Sequence, residues 1–276
     1  MKNILSLFII SLILTIQNSS IAQNDFKADT LNQTPNKKCF SIKEKFIKSL
    51  KYLKFRNGHL IKTKQSIIDQ LIPTLQPLDI LVEKSSFLIT DKFIPGHFGH
   101  VALWLGDEKE YIKRSIWNHP VVQKNQKMIR SNDTLIQYKN TIIEAVTNGV
   151  RLTTLDDFLD ADDLVILRPT CVSGNFYDDT TAMLQALIQI GKEYDFDFDV
   201  HNKDKIICSE LACICFPMIN WEEIHFLGKR TISPDNIVRT CLKENFEIVT
   251  FYHNGKECSP KKRDRLIRKL TRFLND

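Results

Sequence analysis

The chain has 276 residues, 43% of them hydrophobic, enough to bury one substantial core, and it reads as one main folded domain. Its formal net charge of +5 is too mild for a nucleic-acid-binding surface, so nucleic acid is not an expected partner. Seven cysteines in an exported chain allow disulfides, and an odd count leaves at least one thiol over.

The N-terminus has the grammar of a secretory leader: a basic start at Met1-Lys2-Asn3, an apolar run from Ile4 to Ile16, and a polar close on Ser20-Ile21-Ala22. Residues 1–22 are therefore read as a signal peptide cleaved near Ala22, which places the mature chain in a periplasm, on a cell surface or outside the cell. The run is shorter than the ~20 apolar residues that span a bilayer. Residues 23–40 are polar and aperiodic, a flexible leader.

Residues 41–77 carry two helices expected to pack on the domain. The first opens with a capping box at Ser41 and Glu44 and has an apolar stripe of Ile42, Phe46, Leu50 and Leu53. The second is marked by Ile67, Ile68, Leu71 and Ile72 and stops at Pro73.

The period changes after Pro77, and residues 78–258 form the expected main domain. Asp79–Glu83 reads as a strand, a loop with Pro95 and Gly96 follows, and His100–Gly106 is a second apolar strand. The polar, irregular stretch from Asp107 to Asn140 is read as a hairpin and insertion beside a cleft. Thr141–Val146 and Val150–Leu152 pair across the Asn148-Gly149 turn, and Thr154 caps a short helix reaching Phe158 and Leu159. Leu164–Arg168 is a further strand, and Thr180–Ile190 a helix stopped at Gly191.

The acidic-aromatic run Tyr194-Asp195-Phe196-Asp197-Phe198-Asp199 leads to a helix starting at Cys208 and ending near Pro217. Leu211, Ile214, Cys215 and Met218 make its expected buried face. A thiol in the first turn faces unpaired backbone N–H groups that favour a thiolate. Cys213 and Cys215 read as packing residues, and Cys39, Cys171, Cys241 and Cys258 as candidates for disulfides. The tail, residues 259–276, is a basic amphipathic helix that either docks on the domain or makes a peripheral contact with an anionic membrane.

A cysteine nucleophile needs a base, and the base an orienting partner. His100 opens one apolar strand and Glu144 sits within another, where an ionised carboxylate is costly unless paired. On adjacent strands they can face the start of the cysteine helix. Each residue also has a plain structural reading: a small buried thiol, a satisfied core histidine, a solvent-facing strand glutamate. A zinc site from His97, His100, Cys208 and a carboxylate is a further alternative, but no Cys-x-x-Cys or His-Glu-x-x-His spacing supports it, and neither metal nor cofactor is expected.

Five blocks in one order, Asp79-Ile80-Leu81, Phe98-Gly99-His100-Val101-Ala102-Leu103, Ile143-Glu144-Ala145 with Gly149-Val150, Gly191-Lys192-Glu193-Tyr194-Asp195-Phe196 and Cys208-Ser209-Glu210-Leu211, resemble the circularly permuted papain-like amidases of the NlpC superfamily, YiiX/YaeF type. The resemblance implies an α+β, papain-like fold with a small antiparallel, barrel-like sheet packed on the cysteine helix. It implies Cys208 as nucleophile, His100 as base, Glu144 as orienting residue and Tyr194 as an aromatic lining the cleft. That family often has Gly-Asp at the first strand and Ser-His at the histidine, where this chain has Leu78-Asp79 and Gly99-His100.

The implied activity is thiol hydrolysis of an amide through a thioester, with peptidoglycan peptides or other cell-envelope amides as substrates. Acyl transfer or ester hydrolysis on a lipid, and an inactive envelope-binding module, are the alternatives.

Overall fold

The computed structural model describes residues 56–85, 94–130, 142–170, 178–226, 228–244 and 246–272. The leader, the segment 23–40, the helix expected from Ser41, and Cys39 and Cys171 lie outside the described residues.

Eleven strands are described: β1 (Ile80–Lys84), β2 (His100–Trp104), β3 (Ile142–Val146), β4 (Gly149–Thr153), β5 (Asp163–Pro169), β6 (Glu193–Tyr194), β7 (Lys205–Ile206), β8 (Ile224–Phe226), β9 (Lys229–Thr231), β10 (Phe246–His253) and β11 (Lys256–Glu257). Seven of them form one antiparallel sheet in the order β11-β10-β5-β1-β2-β3-β4, with β6-β7 and β8-β9 as short separate pairs. The sheet does not close into the expected barrel among the described residues. Its β4 edge is instead covered by the segment after a helix, with the Val150 N–H on the Lys192 carbonyl at 2.9 Å and the Gly191 N–H on the Val150 carbonyl at 3.0 Å.

The helices are α1 (Lys64–Leu71), preceded by a 3-10 turn, α2 (Glu108–Lys113), α3 (Pro120–Arg130), α4 (Leu155–Phe158), α5 (Asp179–Ile188), α6 (Cys208–Cys215), α7 (Pro234–Lys243) and α8 (Pro260–Leu270). No helix among the described residues is long and apolar enough to cross a membrane.

Side chains alternate across the strands, so the sheet carries a core on each face. Ile80, Val82, Val101, Leu103, Ile143, Val165 and Leu167 join Leu211, Ala212 and Cys215 of α6 and Ile267 of α8 in the larger one. Leu81, Ala102, Trp104, Ile142, Leu164 and Ile166 face Ile67, Ile68 and Leu71 of α1 and Leu155 and Phe158 of α4 in the other. On α8, Ile267 is buried, and Leu266 and Leu270 pack against the same core.

Where a hairpin was expected after Asp107, the chain forms α2 and α3 instead. The Asp107 side chain caps α2 by accepting the Lys109 N–H, Pro120 opens α3 at a position where a missing N–H costs nothing, and Val122 and Ile129 supply a sparse buried stripe. Met218, expected on the buried face of the cysteine helix, lies beyond its end and is 47% exposed.

Leu78, at the position where the resembling family often has glycine, has a left-handed backbone (φ 73°) and a side chain that is 0% exposed. A left-handed L-residue costs roughly 1–2 kcal/mol, and removing a buried leucine side chain costs about 2–5 kcal/mol. Burial outweighs strain, so Leu78→Gly is expected to destabilise the fold by about 1–3 kcal/mol in urea unfolding; a variant more stable than the wild type would contradict this balance.

Candidate active site

His100 is the first residue of β2, and the loop before it is fastened to α7. Asp235, buried in the first turn of that helix, accepts the backbone N–H groups of His97 and Phe98 at 2.9 and 2.8 Å. Gly96 makes this approach possible: its φ is +117°, and a Cβ there would stand 2.5 Å from the Asp235 carboxylate. The Gly99 N–H bonds the Glu83 carbonyl at 2.9 Å, which fixes the entry into β2.

Glu144 lies on the neighbouring strand, with Ala102 as its cross-strand partner, which puts it diagonally opposite His100 on the same face. His100 Nε2 meets Glu144 Oε2 at 2.9 Å. The other carboxylate oxygen, Oε1, accepts from Nε and Nη2 of Arg151, both at 2.8 Å. Arg151 is the direct partner of Glu144 across the β3-β4 hairpin. The carboxylate side chain is 6% exposed and the arginine 54%, so Arg151 shields it from the solvent side.

Cys208 begins α6, which packs against β2 and β3. Its thiol lies beside the His100 imidazole, close enough to favour the charged ring. With Nε2 engaged by Glu144, Nδ1 is the ring nitrogen left for the thiol. Burial disfavours the imidazolium, but Cys208 and Glu144 outweigh it and hold the His100 pKa well above the ordinary histidine value. For Glu144, burial is likewise opposed by His100 and Arg151, and its pKa is lowered.

The start of α6 is fixed on both sides. The Glu210 carboxylate accepts the Ile207 N–H at 2.8 Å, and the buried Ser209 hydroxyl donates to the Ile232 carbonyl. Burial, helped by the charges of Asp195 and Asp199, raises Glu210 to about 7. Cys213 and Cys215 are pushed up by burial, Cys215 to about 12, consistent with packing roles. Cys241 and Cys258, read from the sequence as disulfide candidates, are free thiols, and Cys241 is buried in the core.

Cys208 lies at a shallow, largely apolar cleft. It is lined by Tyr194, Phe198, Ile207, Phe226, Ile232 and Pro234. Arg151 is a partner of Glu144 that the sequence patterns do not single out. Its signal lies in the turn, because an Asn-Gly hairpin that pairs Val146 with Gly149 must set Glu144 opposite Arg151. The zinc set containing His97 is not assembled around Cys208: His97 Nε2 bonds Asp163 at 2.6 Å instead.

A histidine at a strand start, backed by a strand carboxylate and set against a cysteine that follows it at a helix start, is a papain-like cysteine-histidine arrangement in permuted order. Residues 74–255 match the model of the permuted papain-like amidase enzymes, YaeF/YiiX, the C92 family, and the chain belongs to that family. No curated protein and no solved structure matches it.

Two titrations test the electrostatics. In ¹⁵N NMR, His100 is expected to remain imidazolium at pH values where an ordinary histidine is neutral, and Cys208→Ala and Glu144→Gln should each lower its pKa; an unchanged pKa in both variants would mean that neither partner holds the proton on His100. Glu210 binds its proton more tightly in the folded than in the unfolded state, so folding takes up a proton between the ordinary glutamate range and pH about 7. Its contribution to stability therefore falls as pH rises through that window. The wild type minus Glu210→Gln difference in unfolding free energy should show this slope, and a difference independent of pH would refute it.

Proposed function

We propose that the protein is an exported thiol amidase in which Cys208 attacks, His100 moves the proton and Glu144 orients His100. The observation that carries this reading is the His100 imidazole bonded to the Glu144 carboxylate, with the Cys208 thiol beside the ring at the start of α6. Export rests on the leader-like pattern from Met1 to Ala22.

In the proposed reaction, with the proton already held on His100, Cys208 Sγ bonds to the amide carbonyl carbon. Collapse of the tetrahedral intermediate breaks the C–N bond, and His100 returns the proton to the departing amine. A water, deprotonated by His100, then attacks the thioester and frees the acid and the thiol. The developing oxyanion needs a donor, and the backbone N–H of Cys208, in the first turn of α6, has no acceptor within its own helix. The N–H of Ile207 is already taken by Glu210. Glu144, kept ionised and pinned by Arg151, fixes the ring so that Nδ1 faces the sulfur.

Cell-envelope amides, peptidoglycan peptides among them, are the first substrates to assay. A second reading, hydrolysis or transfer of a lipid acyl group on the same residues, is favoured by the apolar lining of the cleft by Ile94, Pro95, Ile207, Phe226 and Ile232. Product analysis on peptidoglycan fragments and on acyl-amide or acyl-ester lipids separates the two.

On whichever substrate is turned over, Cys208→Ala should abolish the reaction, and His100→Ala should lower kcat by about 10²–10⁴-fold. An iodoacetamide-type probe should label Cys208 in the wild type and much more slowly in His100→Ala. Equal labelling rates, or full activity of Cys208→Ala, would favour a binding module that keeps the fold without the chemistry.

A further inference from the structure

We propose that His97, Asp163 and His253 form a divalent metal site, best suited to zinc, separate from the cysteine site. The three residues come from the loop before β2, the first position of β5 and the last position of β10. Their ligating atoms all lie within 4.8 Å of one another. One carboxylate oxygen, Asp163 Oδ2, receives both rings, His97 Nε2 at 2.6 Å and His253 Nδ1 at 2.7 Å. Three lone pairs can therefore be aimed at one point. Placing a zinc ion there, with bonds of about 2.0–2.1 Å in a tetrahedral array, asks these N–O separations to open to roughly 3.3 Å. Two imidazoles and a carboxylate suit zinc and leave a fourth position for water.

The surroundings are those of a ligand set. The Asp163 side chain is buried, and its other oxygen, Oδ1, accepts the Asn254 N–H at 2.8 Å. Among the described residues no lysine or arginine pairs with this carboxylate. Lys84, its cross-strand partner, sends its ammonium to the His97 carbonyl at 2.6 Å instead. Asn254 also reaches the far nitrogen of His253, Nε2, with its side-chain amide at 3.0 Å. An amide turned by half a rotation would accept a proton from that nitrogen and leave Nδ1 for the metal, as outer-shell partners of metal-bound histidines do. Cys258, whose thiol is raised by burial and by the charge of Asp163, stands close by but outside the group of three. A bound ion would tie the loop that delivers His100, three residues after His97, to β5 and β10.

Chelator-stripped protein titrated with Zn²⁺ against a chromogenic chelator, with elemental analysis, tests the site. One tight equivalent is expected in the wild type and in Cys208→Ser. It should be lost in His97→Gln and in His253→Gln, and weakened about 10–100-fold in Asn254→Gly. Glycine tolerates the backbone at position 254 (φ 49°), so this graded loss does not depend on a core variant folding. Co²⁺ in the same site should show d–d bands without a sulfur-to-metal charge-transfer band. Failure of folded wild type to take up one equivalent, retention of that equivalent in the His97→Gln/His253→Gln double variant, or a sulfur charge-transfer band removed by Cys208→Ser would each overturn the proposal, the last two meaning adventitious binding or binding at the cysteine site.

Discussion

A buried imidazole loses its proton unless something else replaces the water it gave up. At His100 that replacement is twofold, a carboxylate bonded to Nε2 and the Cys208 thiol beside the ring, and together they reverse the effect of burial. The carboxylate would itself be costly to bury in an apolar strand, flanked by Ile143 and Ala145. Arg151 offsets that cost from the adjacent strand while staying largely in solvent. The site is thus a relay of compensated charges running from solvent through Arg151 and Glu144 to His100. Much of the surrounding fold serves to keep these groups in register.

Two devices set that register. The β3-β4 hairpin turns at Asn148-Gly149, with Gly149 at φ +100° and no space for a Cβ, which would sit 2.4 Å from the Lys192 carbonyl. A slip by one residue would turn Glu144 and Arg151 to the opposite face. The second device is Asp235, which spends a buried carboxylate on two loop amides and so joins α7 to the approach to His100. Burial raises the pKa of Asp235 despite those two bonds.

Much of the fold is legible in the sequence because strands buried on both faces and capped helices leave strong marks. β1, β2, β3 and β5 appear as apolar runs, Thr154 caps α4 by accepting the Asp157 N–H, and Cys208 does start a helix. The triad candidates are legible through their order and their contexts. α2 and α3 are not, because each buries few apolar side chains and the core accepts Tyr111, Val122 and Ile129 from an otherwise polar stretch. Closure of the sheet is equally hidden, because strand patterns report which faces are buried and not whether an edge is paired or covered. The grouping of His97 with Asp163 and His253 is also out of reach, since partners 66 and 90 residues apart meet only through the strand order β10-β5-β1-β2.

The permuted order has a consequence for how the protein is made. As the chain emerges during synthesis, His100 and Glu144 precede Cys208, and β1 to β4 are joined by antiparallel neighbour pairings that involve no later segment. The wall that holds Cys208 comes afterwards, because Ser209 is anchored to Ile232 and the loop before His100 is anchored to Asp235. A nascent or truncated chain lacking α7 therefore holds His100, Glu144 and Cys208 without the contacts to Asp235 that fix the loop before β2. The Cys208 helix and the His100 loop thus gain their shared brace only when the segment from Ile232 to Lys243 has been made.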